Sequence, residues 1–390
     1  MRKTIITLIS SLCLTGSLFS QNGMSAKPRP SRTGVNLSLW KGWATQRTDT
    51  AGTTWLNLGL FSAMRKVNGW GANLLGSTVT THSQGVQLAG FFNLTGQSLD
   101  GLQAAGGTNV NGHMNGISMA GLVGITRGRA RGLLLSGLAN VTGGSAEGVV
   151  LSGLLNLTGQ ASSGFFLSGL AGIAQEDFRG MAAGGLLNIA GRDLKGWQVA
   201  GLANITGGRM KGVQTAPFNV ATTAKGMQIG LVNYYKERLD GFQLGLVNAN
   251  PRTRVQLLLF GGNQTKLNMG ARFKNELFYT ILGGGTHYLD FDDRFSAAFF
   301  YRAGLELPLY RRLHISGDLG FQHIETFRNK RQGIPARLYA LQARVSLEYR
   351  LTRQLGIFVT GGYGTTRRYT HGKTFDRGVL AEGGVVLFRY

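Results

Sequence analysis

The chain has 390 residues, of which 61 are glycine and only 6 are proline, and its formal net charge at pH 7 is +23. So much glycine, without abundant proline or a Gly-x-y period, excludes a collagen-like protein and argues against a disordered linker. A hydrophobic fraction of 43% is enough to build a core, so the chain is expected to fold as one or two units. No apolar run reaches the roughly 18 residues that a membrane-spanning helix needs.

The amino terminus has the pattern of a secretory signal peptide. A basic start at Met1–Lys3 precedes an apolar segment, Thr4–Phe19, after which small and polar residues follow. We therefore predict a signal peptide at 1–20 and a linker at 21–34. The single cysteine, Cys13, lies inside the signal, so the mature chain would contain no disulfide.

The excess of basic residues bears on the expected partners. Such a balance often indicates nucleic-acid binding, but an exported chain seldom meets nucleic acid, and here the basic residues are scattered through turns and loops. We therefore expect no nucleic acid and favour outer-membrane lipid headgroups or lipopolysaccharide phosphates as partners. A solvated basic surface without a specific partner is the alternative.

A short repeat dominates residues 69–251, after candidate entry strands at 35–68. Each unit runs Gly, apolar, variable, apolar, small, Gly, apolar, variable, Asn, apolar, Thr or Ala, and then a polar turn. Such self-similarity at a short period indicates a repeat architecture. Most units are 16 residues long, a few are 14 or 15, and each opens with a glycine, at positions 69, 85, 101, 116, 132, 148, 164, 180, 196, 212, 226 and 241.

One position of the repeat is asparagine in most units. Several of these asparagines begin an Asn-x-Thr triplet, the acceptor for N-glycosylation, but Ala190 and Ala221 replace the Thr in other units. If equivalent residues stack on successive coils, their amides can hydrogen-bond along the stack whether or not Thr follows. We therefore predict a structural ladder formed by Asn93, Asn140, Asn156, Asn188, Asn204, Asn233 and Asn248, with Asn109 and Asn219 in the same position.

Two all-β folds suit this repeat. In a β-solenoid each unit is one coil, with glycines at the corners; in a single large transmembrane barrel of about twenty strands each unit is one strand and its turn. Antiparallel neighbours would double the period, and the one-residue shortening of the unit at Gly226 would reverse the faces of a continuous strand. We predict the solenoid, with the large barrel as the alternative.

After residue 251 the sequence changes to alternating apolar and polar residues. Tyr339 and Tyr349 lie on the apolar side of one segment, about 25 Å apart along the membrane normal for a tilted strand, which is the height of an outer-membrane apolar band. Short and long connections alternate, and the chain ends in an aromatic residue, Tyr390. We predict an eight-stranded antiparallel outer-membrane β-barrel over 252–390, with strands near 254–262, 266–274, 277–289, 295–307, 313–325, 336–351, 355–367 and 377–390.

The mature chain resembles a family of surface-repeat proteins found in Bacteroidetes and spirochaetes. The resemblance is carried by NLSLW at 36–40, NLGLF at 57–61, and the Gly-x-Gln-Φ-Gly-Leu-Val-Asn units that begin at 226 and 241, where Φ is apolar. It covers roughly residues 35 to 250, although the longer Ala-Gly and Ser-Gly units depart slightly from the family pattern. The resemblance implies a location in the cell envelope but no activity that could be transferred to particular residues.

The sequence contains no constellation that points to an enzyme, a cofactor or a metal site. The six histidines form no metal-ligand spacing, and the acidic run at 290–293 lacks the spaced ligands of a calcium loop. Neither a phosphate-binding loop nor a nucleophile elbow occurs. Several charged residues face the interior of the predicted barrel, where they could line a channel or simply fill the lumen; they are Arg302, Glu306, Arg344, Glu348 and Arg350.

We therefore predict an exported outer-membrane protein with a structural or adhesive role. A channel formed by the repeats and the carboxy-terminal strands together is the alternative, and a membrane hydrolase or acyltransferase lacks a Ser–His pair on a shared face. If the last strand ends at the periplasmic side, the loops 326–335 and 368–376 face outward. Their expected contacts to lipopolysaccharide phosphates are Arg328, Lys330, Arg331, Arg368 and Lys373. The sequence specifies neither a surface ligand nor an oligomeric state.

Overall fold

The computed structural model describes residues 34–40, 43–46, 52–286, 289–290, 294–329, 335–370 and 372–388, without the side chains of 289–290, 294, 328–329 and 388. The predicted signal peptide, and the predicted linker apart from Gly34, lie outside these residues. Within them, no helix is long and apolar enough to span a membrane. The chain divides into two compact units, of which the first ends at Met227 and includes Leu239–Gly241, and the second comprises Gln228–Arg238 and the chain from Phe242 onward.

The described residues form β-strands joined by turns and short connections. The strands, numbered along the chain, are β1 (Gly34–Trp40), β2 (Trp43–Ala44), β3 (Thr53–Met64), β4 (Lys66–Val79), β5 (His82–Ala89), β6 (Phe92–Ala105), β7 (Thr108–Ala120), β8 (Val123–Thr126), β9 (Ala130–Ser136), β10 (Ala139–Thr142), β11 (Ala146–Ser152), β12 (Leu155–Thr158), β13 (Ser162–Ser168), β14 (Ala171–Ala174), β15 (Phe178–Gly184), β16 (Leu187–Ala190), β17 (Leu194–Ala200), β18 (Ala203–Thr215), β19 (Phe218–Ile229), β20 (Val232–Leu244), β21 (Val247–Ala249), β22 (Arg254–Gly262), β23 (Leu267–Asn275), β24 (Phe278–Thr286), β25 (Leu289–Asp290), β26 (Arg294–Tyr310), β27 (Leu313–Asn329), β28 (Arg337–Arg350), β29 (Leu355–Arg368) and β30 (Thr374–Phe388).

The first unit is a β-solenoid in which successive coils pair in parallel. A typical coil contains one long strand, such as β11, and one short strand, such as β12. The long strand places Gly148 opposite Gly132 of the preceding coil and Gly164 of the following coil. Because the neighbours are parallel, the solenoid prediction is confirmed and the single large barrel is wrong. Parallel pairing already includes the entry strands, since β1 pairs with β3 and β3 with β4.

We expected the glycine that opens each unit to lie at a corner of the coil. It lies instead inside the long strand. Gly148 and Gly164 have φ values of +119° and +124°, which a residue with a side chain rarely adopts. A Cβ atom on Gly164 would also lie 1.9 Å from the carbonyl oxygen of Gly148. The period is therefore fixed by a column of glycines whose backbones are too close for any side chain. The second glycine of the unit, such as Gly169, does lie at a corner.

The second unit contains an eight-stranded antiparallel barrel, as predicted. Its strands follow the ring order β22, β23, β24, β26, β27, β28, β29 and β30, and β30 pairs again with β22 to close the ring. The strands are longer than expected at one end, so the predicted loop 326–335 becomes the connection 330–336, and the loop 368–376 becomes 369–373.

The two ends of the barrel differ in the length of their connections. At one end, two-residue turns at 276–277 and 311–312 and the connection 351–354 join the strands. The chain enters β22 and leaves β30 at this same short-turn end, because the number of strands is even. In the second unit, the side-chain amide of Asn275, which immediately precedes the turn at 276–277, donates a hydrogen bond to the carbonyl oxygen of Asn248. The end of the last repeat unit therefore contacts the short-turn end of the barrel.

Candidate functional site

Asparagine side chains form hydrogen-bonded stacks in the interior of the solenoid. In one stack, Asn188 donates to Asn204 at 3.1 Å, and Asn204 donates to Asn219 at 3.1 Å. Gly124 and Gly172 occupy the asparagine position in two coils, so the ladder consists of separate stacks. The other predicted members pair as Asn93 with Asn109, Asn140 with Asn156, and Asn233 with Asn248, at donor–acceptor distances of 3.1, 3.2 and 2.8 Å.

Several ladder amides also hydrogen-bond to the backbone near a corner of the next coil. The amide nitrogen of Asn156 donates to the carbonyl oxygen of Leu167 at 2.7 Å, at the end of the long strand of the next coil. Asn188 bonds the oxygen of Val199 in the same way, also at 2.7 Å. Within the repeat region, the asparagines of the four Asn-x-Thr triplets are at most 2% exposed, so a glycan could not be attached to the folded coil; they are Asn93, Asn140, Asn156 and Asn204.

Glutamine forms a second set of ladders that the sequence analysis missed. Gln214 donates to Gln198 at 3.0 Å, and Gln103 donates to Gln87 at the same distance, all four side chains being buried. These residues occupy the position described above as variable. The signal was present, because glutamine recurs two residues after the opening glycine in several units. Leu134, Val150 and Phe166 fill that position in the central coils, which conceals the pattern.

A tyrosine closes the polar interior beside the last coil. Tyr235 stands where other units have Thr or Ala, and its hydroxyl accepts a hydrogen bond from the side-chain amide of Asn250. Burial raises the pKa of Tyr235, so the hydroxyl stays protonated and able to donate in turn.

The lumen of the barrel contains a network of buried ion pairs. Glu382 on β30 accepts two hydrogen bonds from the guanidinium group of Arg302 on β26, at 2.9 and 3.0 Å, and lies 3.4 Å from Arg344. Arg344 in turn lies 3.5 Å from Asp318, which accepts a hydrogen bond of 2.9 Å from the Tyr279 hydroxyl. Every charge of this group therefore has an opposite charge beside it.

A second group of charges lies nearer the short-turn end. Arg272 on β23 pairs with Glu348 on β28 at 2.7 Å and lies 3.6 Å from Glu306. Glu306 also binds Lys274 and lies 3.3 Å from Arg350. The charged residues predicted to face inward therefore do so.

These ion pairs join opposite sides of the barrel. In the ring order, β23 and β28 are four strands apart, as are β26 and β30, which is the largest separation that eight strands allow. The pairs Arg272–Glu348 and Arg302–Glu382 therefore cross the lumen, and the Phe260 and Phe300 rings pack against Arg302 at 4.6 and 4.8 Å. Side chains fill the interior of the barrel, as they commonly do in barrels of eight strands.

Arginine is concentrated at the short-turn end of the barrel, another feature that the sequence analysis missed. A cavity of about 840 Å³ lies between the start of β22 and the turns at 311–312 and 351–354. Its lining contains no carboxylate, and a planar guanidinium group suits a phosphate or carboxylate ligand. The arginines of this cavity are Arg252, Arg254, Arg311, Arg312, Arg350 and Arg353. They were not expected together because three separate turns contribute them.

Two of the predicted lipopolysaccharide contacts, Arg368 and Lys373, lie at the opposite end, where the connections are longer. Arg368 is the last residue of β29, and its backbone amide donates 2.9 Å to the carbonyl oxygen of Lys373, which closes the turn. The Arg368 guanidinium lies 5.7 Å from the centre of the Phe375 ring. Arg328 belongs to β27 but its side chain is not described, and Lys330 and Arg331 lie outside the described residues.

The histidines on β27 face opposite sides of the strand. His314 is buried in the lumen, whereas His323 faces outward and lies 2.8 Å from the Tyr369 hydroxyl. Across the described ranges, no three His, Cys, Asp or Glu side chains come together as a metal site would require.

Two solved structures show limited similarity to this chain. Neisserial surface protein A is 9% identical with a TM-score of 0.24, over 35% of this chain and 94% of that chain. Ail, the attachment invasion locus protein of Yersinia pestis, is 14% identical with a TM-score of 0.22, over 35% and 95%. These similarities are too low to transfer a function. No family model and no curated protein matches the chain, so membership of the surface-repeat family stays a prediction.

Proposed function

We propose that this protein is an outer-membrane scaffold in which the barrel is a closed anchor and the solenoid is a structural element held at the membrane. The outward face of the barrel supports membrane insertion, because it exposes a continuous apolar surface. The side chains of Phe299, Leu319 and Val379 are 68, 71 and 70% exposed. Exposing such apolar side chains is unfavourable in water but not among lipid acyl chains. We assign the protein no catalytic role.

The observation that carries this proposal is the pair of salt bridges across the lumen. An open channel needs a continuous aqueous path, whereas Arg272–Glu348 and Arg302–Glu382 connect opposite strands through the centre. Opening such a path would separate buried opposite charges, which costs several kcal/mol for each pair that is broken. The barrel therefore suits anchoring better than transport.

The lengths of the connections support one orientation of the barrel in the membrane. Outer-membrane barrels have short periplasmic turns and longer extracellular loops. On that rule the short-turn end, where the chain enters from the solenoid, is periplasmic. The connections at 330–336 and 369–373 are then extracellular, and any adhesive role or lipopolysaccharide contact belongs to them.

The arginine cavity fits the same orientation. At the periplasmic end of the barrel it would lie near the phosphate groups of the inner phospholipid leaflet. Arg252, Arg254 and Arg353 are exposed there, so an anionic headgroup is the expected ligand.

Cell fractionation, gel migration and conductance together test this function. We expect the protein in the outer-membrane fraction, with faster gel migration when unboiled, and no discrete conductance steps in planar bilayers. A tag inserted in 330–336 should be reachable on intact cells, whereas a tag between Gly143 and Gly144 of the solenoid should become reachable only after permeabilisation. Recovery as a soluble periplasmic protein, or stable ion conductance by the folded barrel, would contradict the proposal.

A further inference from the structure

Charge is confined to one edge of the solenoid. Between residues 52 and 250, every Asp, Glu, Lys and Arg lies within the five residues that precede a repeat glycine. Because the coils stack in register, these segments form a single strip, which we call the polar edge. Beyond this strip, which includes the first residues of the long strands, the two sheets and the remaining corner carry no charged residue between 52 and 250.

The corner opposite the polar edge is a row of exposed leucines. It follows the long strand of each coil, and its exposed fractions lie between 40 and 51% in six successive coils. We call this row the leucine ridge; its members are Leu122, Leu138, Leu154, Leu170, Leu186 and Leu202.

Both sheets that flank the leucine ridge are apolar on their outer faces. On the long strands, Val149, Leu167 and Val199 are 37, 44 and 44% exposed. On the short strands, Ile173 and Ile189 are half-buried and point outward. In the first coils the face is indented by a groove of about 840 Å³ with Leu74, Leu88, Met119 and Leu135 in its lining.

An apolar surface of this extent requires an occupant. At about 4.8 Å per coil, the six coils of the ridge present a strip roughly 29 Å long, and soluble monomers rarely expose apolar patches above a few hundred Å². The shape limits the choice, because the ridge is convex and apolar on both flanks. A second copy or a partner protein would cover one flank and leave the other in water, whereas fluid acyl chains surround both.

We propose that the leucine ridge and its flanking faces are embedded in a phospholipid leaflet, with the polar edge at the headgroups. This inference rests on the proposed membrane anchor. The position of Trp197 fits this arrangement, since it is 55% exposed and stands between the polar edge and the apolar face, where interfacial tryptophans lie.

Charge complementarity also favours a headgroup surface. On the polar edge, Arg179 lies directly opposite Lys195, and Lys195 opposite Lys211, in adjacent parallel strands. Like charges in cross-strand register are destabilising unless anions lie nearby. Anionic phospholipid headgroups supply such anions at this part of the edge, whereas Arg131 and Lys225 already pair with Glu147 and Asp240 of the next coil.

Tryptophan fluorescence of the full chain tests this inference directly. All five tryptophans lie at or before position 197, so none belongs to the barrel. A variant that keeps only Trp197, with the other four changed to Phe, is reconstituted into phosphatidylglycerol-containing vesicles whose acyl chains carry bromine near the headgroup. We expect the emission of Trp197 to fall at least twofold relative to unbrominated vesicles, because the indole would lie among the quenchers.

A paired substitution identifies the ridge as the contact. Leu186→Asp places a carboxylate on the leucine ridge one coil from Trp197, and it should reduce the quenching by at least half. Ala161→Asp places the same group at an exposed position of the polar edge and should leave the quenching unchanged. Circular dichroism checks that both variants keep their β-structure.

The outcomes separate this inference from the proposed function. Faster migration of the unboiled protein reports barrel insertion independently of the solenoid. An inserted barrel without quenching, or with quenching that both substitutions leave equal, would overturn the inference alone. If quenching is absent and the protein instead forms dimers that Leu186→Asp abolishes, the apolar face binds a second copy of the chain. That result would also overturn the inference. A barrel that fails to insert would overturn the proposed function and, with it, this inference.

Discussion

The solenoid and the barrel both bury polar side chains, but these side chains find different kinds of bonding partner in the two regions. The solenoid interior contains amides, such as Asn188, Asn204 and Gln214, that bond to the same residue type in the neighbouring coil. The barrel interior contains ions, such as Arg302 and Glu382, that bond to the opposite charge. Both regions nevertheless have apolar residues on much of their outer surfaces.

The difference follows from what each interior residue faces. In a parallel solenoid a residue stacks on its own equivalent, so the interaction must be favourable between identical groups. A carboxamide contains both a donor and an acceptor and can bond to its copy, whereas a carboxylate or guanidinium would face a like charge. In the barrel, strands of unrelated sequence face each other, so opposite charges can be paired across 80 residues of chain.

Two probes report the regions separately. Tryptophan fluorescence reports the solenoid, since the barrel contains no tryptophan. The gel migration of unboiled protein reports the barrel. Each of the following variants is therefore expected to change mainly one of the two signals.

The largest effect is expected from Glu382→Ala in the barrel. This change leaves Arg302 buried without a carboxylate, which typically costs about 3–5 kcal/mol of unfolding free energy. The temperature at which unboiled protein loses its fast migration should fall strongly. Glu325→Ala is the control, because its pair with Arg337 at 3.0 Å is exposed and screened by water, so the transition temperature should hardly change. Equal effects of the two changes would show that the lumen is hydrated.

The next effect concerns the glycine column of the solenoid. Gly164→Ala adds a methyl group 1.9 Å from the Gly148 oxygen at a φ of +124°, so we expect a loss of about 3 kcal/mol, measured as a lower denaturant midpoint of tryptophan fluorescence. Gly71→Ala, also in the solenoid, is the matched control, because the atom nearest to its added methyl is the Asn57 side-chain nitrogen at 3.6 Å, an ordinary van der Waals distance. A Gly164→Ala protein as stable as the control would be incompatible with the register described here.

A smaller effect is expected when one member of an amide stack is removed. Asn204→Ala deletes the bonds to Asn188 and Asn219, so about 2 kcal/mol should be lost, again by fluorescence. Asn204→Asp should cost more, because a carboxylate cannot donate to Asn219. Asn115→Ala, on the polar edge with an exposed bond of 3.3 Å to Asp100, is the control and should be nearly silent.

The smallest difference is expected between two deletions of one coil. Removal of 164–179 takes out the coil that carries Gly172 and brings Asn156 next to Asn188, which should join two stacks. Removal of 148–163 instead takes out Asn156 and leaves Asn140 beside Gly172. The barrel should still insert in both variants. The variant that lacks 164–179 should have an unfolding free energy about 1 kcal/mol higher than the variant that lacks 148–163, measured by tryptophan fluorescence. A barrel that fails to insert in either variant would mean that it depends on the number of coils.

Much of the fold could be predicted from local pattern. The 16-residue period predicted parallel coils, because every coil repeats the same alternation of inward and outward positions, and the shared position predicted the asparagine stacks. Alternation after residue 251 likewise predicted eight strands and the inward side of Arg302, Glu306, Arg344 and Glu348. Each of these features depends on residues close in sequence, so sequence alone determined them.

Other features were decided only by the tertiary structure. The partners Arg302 and Glu382 lie 80 residues apart, and their contact depends on the strand tilt and ring closure of the barrel, which no local pattern encodes. Three turns distant in sequence likewise assemble the arginine cavity at one end. The opening glycines lie within strands, since the backbones of successive coils approach too closely there for a side chain. Sequence determined which residues face inward, and the closure of the chain on itself decided which of them meet.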